Sequence, residues 1–120
     1  MTARKLIEKT DKLYPNVFPF GVKAMWLTEF DKRLSLEVIS RYDENFSEIP
    51  SYDENPDSIL LIPDDFSEVY IRYLTMQFDI TSGETARYHN SSALYNGSYL
   101  SFINYYNRTH RVRPHYICIE

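Results

Sequence analysis

Few residues in this chain have the types and spacing that chemistry needs. The candidates are three histidines (His89, His110 and His115), one cysteine (Cys118) and the adjacent carboxylates Asp43-Glu44 and Asp64-Asp65. A metal site needs grouped ligands; none of the histidines falls in an HExxH pattern, and one cysteine supports neither an intramolecular disulfide nor a Cys-rich zinc site. His110 and His115 flank an Arg/Pro stretch where exposure is the expectation, and nothing around Cys118 marks its thiol as acidified. The carboxylate pairs read as helix caps and solvated loop residues, because acid–base work requires a buried, focused setting. No P-loop, G-x-G-x-x-G or G-x-S-x-G occurs, and three glycines are too few to build such loops easily. The expectation is therefore a protein without catalysis, cofactor or metal.

Charge is the more informative signal. The net charge is −4, yet the segment from Tyr42 to Ile71 holds nine acidic residues and no Lys or Arg, while Thr85 to Ile119 holds Arg87, Arg108, Arg111 and Arg113 and no acid. Two readings stand: a solvated acidic loop with an ordinary basic tail, or complementary surfaces that meet across a subunit boundary. The second makes Asp43, Glu44, Glu48, Asp53, Glu54 and Asp57 one candidate interaction set, and Arg108, Arg111, Arg113 and Tyr116 the other. The stretch RTHRVRPH after Tyr105 and Tyr106 could also hold a phosphate backbone and stack bases. A pI near 5.3 argues against a nucleic-acid domain, which carries a dominant basic face.

These residues must be positioned by one domain, residues 1–120, for which 43% hydrophobic content is enough to form a core. The expected fold class is all-α: a small bundle of about four helices with a C-terminal αα-hairpin. Thr2 caps a first helix with Leu6, Ile7, Thr10, Leu13 and Tyr14 on one face. Pro15 and Pro19 bracket a rigid connection whose three aromatics must pack. A second helix, from about Val22 to Ser40, carries the stripe Val22, Trp26, Phe30, Leu34 and Val38, widened by Met25 and Leu27. An acidic surface loop over about 42–62 ends in an apolar clip, Ile59 to Ile62. Asp65 with Glu68 suggests a capping box for a third helix whose buried face is Phe66, Val69, Tyr70, Tyr73, Leu74 and Phe78. Thr81-Ser82-Gly83 ends it. The tail over about 109–120 is β-prone after Pro114 and is expected either to stay flexible or to add to a partner.

The fourth helix, from near Glu84 to about Arg108, is the most distinctive. Tyr88, Tyr95, Tyr99, Phe102 and Tyr106 share one face, expected to pack inward on the third helix. Among them lie Ser91, Ser92, Ala93, Gly97, Ser98 and Ser101. Gly97 costs about 1 kcal/mol of helix stability relative to Ala, which suggests a close backbone contact there.

The blocks LIEKTDKLYPNVFPFGVKAMWLTEFDKRL and LIPDDFSEVYIRYLTMQFDITSGETARYHNSSALYNGSYLSFINYYNRTHR resemble small proteins from the structural-gene blocks of tailed phages and prophages of Gram-positive bacteria, similar to the head–tail connector (adaptor, or head-completion) family. The arrangement that carries the resemblance is a helix pair, an acidic loop, a helix opened by Pro63-Asp64, and a long Tyr/Asn helix ending in Tyr106-Asn107-Arg108-Thr109-His110. The resemblance implies a homo-oligomeric ring, typically a dodecamer, under the portal protein. Its partners would be the portal and neck or tail proteins, with DNA passing through a channel and not bound specifically. It also implies a place in the virion after synthesis in the host cytoplasm, with no membrane involved. A small helical regulator or nucleic-acid-binding protein of a mobile element is the alternative. The long acidic loop departs from the family pattern.

Overall fold

The first turn of any helix leaves backbone N–H groups without partners, and the way this chain satisfies them organises half the molecule. In a computed structural model describing residues 1–37 and 49–109, helix α1 (Ala3–Leu13) is capped by Thr2, whose hydroxyl accepts from the Lys5 N–H at 3.2 Å. The Ala3 and Arg4 N–H groups donate to the carbonyls of Ser58 and Pro56 (3.2 and 2.8 Å), and the Leu60 N–H donates to the Met1 carbonyl at 3.0 Å. An isolated antiparallel bridge pairs Thr2 with Ile59. Residues 56–60 thus finish the N-terminus of α1.

That arrangement corrects the expectation of a surface loop for residues 49–62. Ile49, Tyr52, Leu60 and Ile62 belong to the core, and Tyr52 is fully buried. The apolar clip returns as expected through Leu60 and Ile62, although Ile59 points outward. Residues 42–48 of that loop lie outside the described residues.

Helix α2 (Phe20–Glu37) buries a different face from the predicted stripe. Phe30, Leu34 and Leu27 are inside, but the rest of the buried face is Lys23, Ala24, Thr28, Asp31 and Ser35. Val22 and Trp26 sit half-buried at its margin, Met25 is exposed, and Val38 lies outside the described residues. Hydrophobic patterning misplaces the face because it counts Lys23, Thr28 and Asp31 as outward, whereas each finds a partner inside. Lys23 Nζ bonds both Asp11 carboxylate oxygens (2.7 and 2.9 Å) and Asn16 Oδ1 (3.2 Å). Asn16 also bonds Asp11, the Tyr14 carbonyl and the Phe18 N–H, which holds the connection between α1 and α2 in shape. In that connection Phe18 stacks on Phe78 (5.3 Å) and meets Trp26 edge-on, as packing of its aromatics required; Leu13 and Tyr14, expected inside, are partly or mostly exposed.

A single 3-10 turn, Asp64–Phe66, leads into α3 (Glu68–Thr81). The expected capping box does not form: no side chain caps α3, Asp64 instead pairs with the Met1 amino group, and Glu68 pairs with Arg72 at 3.0 Å. The buried face is as predicted, with Ile71 added and Phe66 only partly buried. At the end of α3 the Glu84 N–H returns to the Asp79 carbonyl (2.9 Å) and Gly83 takes φ +75°, a Schellman-type stop. Helix α4 (Thr85–Thr109) then runs back along α3 as the second arm of an αα-hairpin. Among the described residues the fold is all-α.

Two glycines should respond oppositely to alanine. Gly83→Ala forces a β-carbon into the left-handed region and should lower stability by about 1–2 kcal/mol. Gly97 lies mid-helix with no described residue within 4 Å of an added β-carbon, so Gly97→Ala should raise it by about 0.5–1 kcal/mol. Urea denaturation midpoints of the two variants read both signs.

Candidate interaction surfaces and the buried carboxylate

The side chain of Asp31 is fully buried in the middle of α2. A carboxylate there is tolerable only if donors surround it. Tyr52 Oη donates to Oδ2 at 2.6 Å, Tyr70 Oη donates to Oδ1 at 2.7 Å, and the Leu61 N–H reaches Oδ2 at 3.3 Å. Tyr70 Oη in turn accepts from the Ile62 N–H at 2.9 Å. The Tyr52 N–H donates to Thr28 Oγ1 at 3.0 Å, whose hydroxyl donates to the Ala24 carbonyl. One carboxylate therefore ties α2, residues 52–62 and α3 together. Burial raises the Asp31 pKa above its ordinary 3.8, outweighing the opposite pull of Tyr52, Tyr70 and the Leu61 N–H. Burial, and then the Asp31 charge, push Tyr52 and Tyr70 upward, so both phenols stay protonated and donate. Nothing in composition or spacing marks this group; Tyr52 lay in what read as a solvated acidic stretch.

The acidic candidate residues do not form one bare negative surface. Asp57 accepts from Arg4 Nε at 2.9 Å, which holds that guanidinium more firmly protonated. Asp53 and Glu54 are exposed and make no salt bridge with any described residue. Asp53 Oδ1 lies 3.1 Å from where a β-carbon on Gly21 would be, so Gly21 admits the turn against α2. Asp43, Glu44 and Glu48 lie outside the described residues, as do Arg111, Arg113 and Tyr116 on the basic side. Arg108 is exposed at the end of α4, beside a shallow depression it lines with Phe66, Ser101, Asn104 and Asn107. Asp53, Glu54 and Asp57 are neighbours by chain continuity, and none of them forms a salt bridge with Arg108.

Helix α4 has two unlike sides. From Tyr95 onward the aromatic stripe packs inward as predicted, on α2 as well as α3, while Tyr88 lies against His89 of its own helix: Phe30 sits edge-on to Tyr95 and Tyr99 (6.2 and 6.1 Å), and Tyr73 lies 5.6 Å from Tyr95. Phe102 and Tyr105 close on Phe66 at the other end. Burial raises the Tyr95 pKa as it does that of Tyr73. Only Ser91 and Phe102 of this 25-residue helix are fully inside. The opposite side shows Leu94 (50% exposed) and Leu100 (59% exposed) beside Ala93, Gly97 and Ser101. The close contact expected at Gly97 is not made by the described residues.

A groove of about 570 Å³ lies beside the α1–α2 connection, walled by Leu13, Val17, Phe18 and Phe78 and rimmed by Asp79, Glu84 and Arg87. Val17 stands 95% exposed between Pro15 and Pro19, a feature legible in the sequence but not singled out there. Asp31 lines none of these depressions. Among the described residues no group of three or more His, Cys, Asp or Glu is placed to hold a metal ion, and no helix is long and apolar enough to cross a membrane.

No family model matches the chain, and neither the curated proteins nor the solved structures include a significant match to it.

The network around Asp31 sets an order of stability losses. Tyr70→Phe strands both Asp31 Oδ1 and the Ile62 N–H and should cost about 3 kcal/mol; Tyr52→Phe, which removes one bond, should cost about 1.5 kcal/mol. Because the folded pKa of Asp31 exceeds its unfolded value, the folded chain binds that proton more tightly. Its contribution is then lost as pH rises through the raised value and regained as pH falls toward 3.8. Asp31→Asn should remove this component of the pH dependence. Chemical denaturation of the three variants across that window checks both the order and the slope; equal losses for the two tyrosines would contradict the hydrogen-bond assignment.

Proposed function

We propose that this chain is a structural assembly subunit of the head–tail connector kind, a non-catalytic protein that joins copies of itself beneath a portal and passes DNA through the resulting channel. The observation that carries the reading is α4: a 25-residue helix with two fully buried side chains and an outward side of Leu94, Leu100, Ala93 and Gly97. A helix at the surface of a monomer keeps that side charged or polar. Here Ala93, Leu94, Gly97 and Leu100 share that side with Asn90, Asn104 and Arg108, and its small and apolar part suits close approach of another subunit. The sequence resemblance supplies the kind of assembly, and the segregated charge supports head-to-tail contacts within a ring. On this reading Asp53 and Glu54, with Asp43, Glu44 and Glu48, face the channel, where negative charge repels the DNA backbone and lets it slide. The portal and the neighbouring neck or tail proteins are the partners, and the virion is the destination.

Leu94→Glu combined with Leu100→Glu tests the reading. Both positions are half or more exposed, so the variant should keep its helical circular dichroism and lie within about 0.5 kcal/mol of the parent in stability. It should nevertheless fail to join portal rings from the same genome, as read by native mass spectrometry and negative-stain microscopy. Undiminished assembly of the double variant would remove α4 from the interface. Salt-dependent retention of the parent chain on DNA, without portal binding, would favour the regulatory alternative instead.

A further inference from the structure

We propose that the groove beside the α1–α2 connection receives residues 111–119 of a second copy of this chain, donated head to tail. The groove is apolar where it is open, with Val17 and Leu13 exposed and Phe18 and Phe78 forming its floor. Its rim carries two carboxylates, Asp79 and Glu84, and one cation, Arg87; neither carboxylate is in a salt bridge with any described residue. The stretch RVRPHYICI carries the complementary chemistry, two arginines followed by Tyr116, Ile117 and Ile119. An extended segment of this composition can lay alternate apolar side chains into a groove while its cations meet a carboxylate rim.

Reach decides which copy can bring the arginines to the rim. Asp79 and Glu84 flank the start of α4, and from Arg87 the helix runs about 33 Å to Thr109 at 1.5 Å per residue. Even fully extended, the chain carries Arg113 no more than about 14 Å beyond Thr109. Its guanidinium cannot return to the rim of its own groove. A second copy has no such limit. Donor and acceptor stand at opposite ends of α4, so each copy can give one segment and take one, a heterologous contact that closes into a ring or continues as a filament. The inference leans on the assembly reading only in needing a second copy.

Cys118 is the sole cysteine and lies inside the proposed segment, so it can carry the probe. The full-length chain, labelled there with a thiol-reactive benzophenone, is mixed as nitrogen-15 and natural-abundance copies and irradiated at high protein concentration. Cross-links in mixed-isotope pairs should map to residues 13–18 or 78–87. Cross-links confined to one copy, landing on the outward side of α4, or absent between copies overturn the proposal. Asp79→Lys with Glu84→Lys should lower the inter-copy yield roughly five- to tenfold, as two exposed ion pairs become repulsive. Adding Arg111→Glu and Arg113→Glu should restore it; a four-fold variant that stays low contradicts the pairing. Copies that cross-link as expected yet ignore portal rings would sink the connector reading alone. Portal assembly without these cross-links would sink this proposal alone.

Discussion

The fold depends on a charge placed where water cannot reach it. Asp31 projects from the middle of α2 into the core and is held by two phenols and a backbone N–H. A carboxylate accepts several donors at once, and hydrogen bonds to a charged acceptor are about twice as strong as neutral ones. Burial pulls the other way, strongly enough to leave the pKa raised. The net energy of such a site is modest, but its directionality is not. An apolar contact between α2 and residues 52–62 would tolerate sliding, whereas Tyr52 and Tyr70 meet Asp31 in one geometry only. The price of that order is a desolvated carboxylate.

Much of the rest follows from fixing residues 52–62 on α2. With Tyr52 and Leu61 bound to Asp31, residues 56–60 are delivered to the first turn of α1, whose Ala3 and Arg4 N–H groups need carbonyls. Tyr70 carries the same constraint into α3 and, through the Ile62 N–H, back to the loop. Phe30, one residue from Asp31, lies against Tyr70 and Tyr73 and reaches the α4 tyrosines edge-on. The constraint therefore spreads outward from one residue through helices α1, α2 and α3, and α4 joins by packing along α3 with its rings on one side.

The parts of this fold that were legible in the sequence are those decided within a few residues. Thr2 as a cap, the buried face of α3 and the stop at Gly83 each follow from local backbone geometry or from helical spacing. The parts that were not legible depend on partners distant in sequence. Asp31 and Tyr52 are 21 residues apart, and Asp31 and Tyr70 are 39 apart. A pattern of apolar residues cannot reveal that an Asp faces inward when its donors lie so far away, and so the α2 stripe came out rotated. The capping box failed for a related reason: Pro63 and the 3-10 turn at Asp64 moved the helix start past Asp65. The surface candidates were half legible. Charge segregation named Asp53, Glu54 and Asp57, but only the structure shows that Asp57 is committed to Arg4. The groove went unnoticed although a valine between two prolines had no core to enter.

The contrast between the two halves of the molecule bears on what Gly97 is for. Natural sequences give up helix stability at a glycine where something gains from the missing side chain, and no described residue approaches the position. The same helix gives up burial: the aromatic side uses the rings of Tyr95, Tyr99 and Phe102, while Leu94 and Leu100 stay in water on the other. Neither choice adds packing among the described residues. Both become useful together when a second surface packs across Ala93 and Gly97, since the small residues allow close approach and the leucines then leave water. The half around Asp31 would in that case serve as the mount, and the outward side of α4 as the part presented to a neighbour.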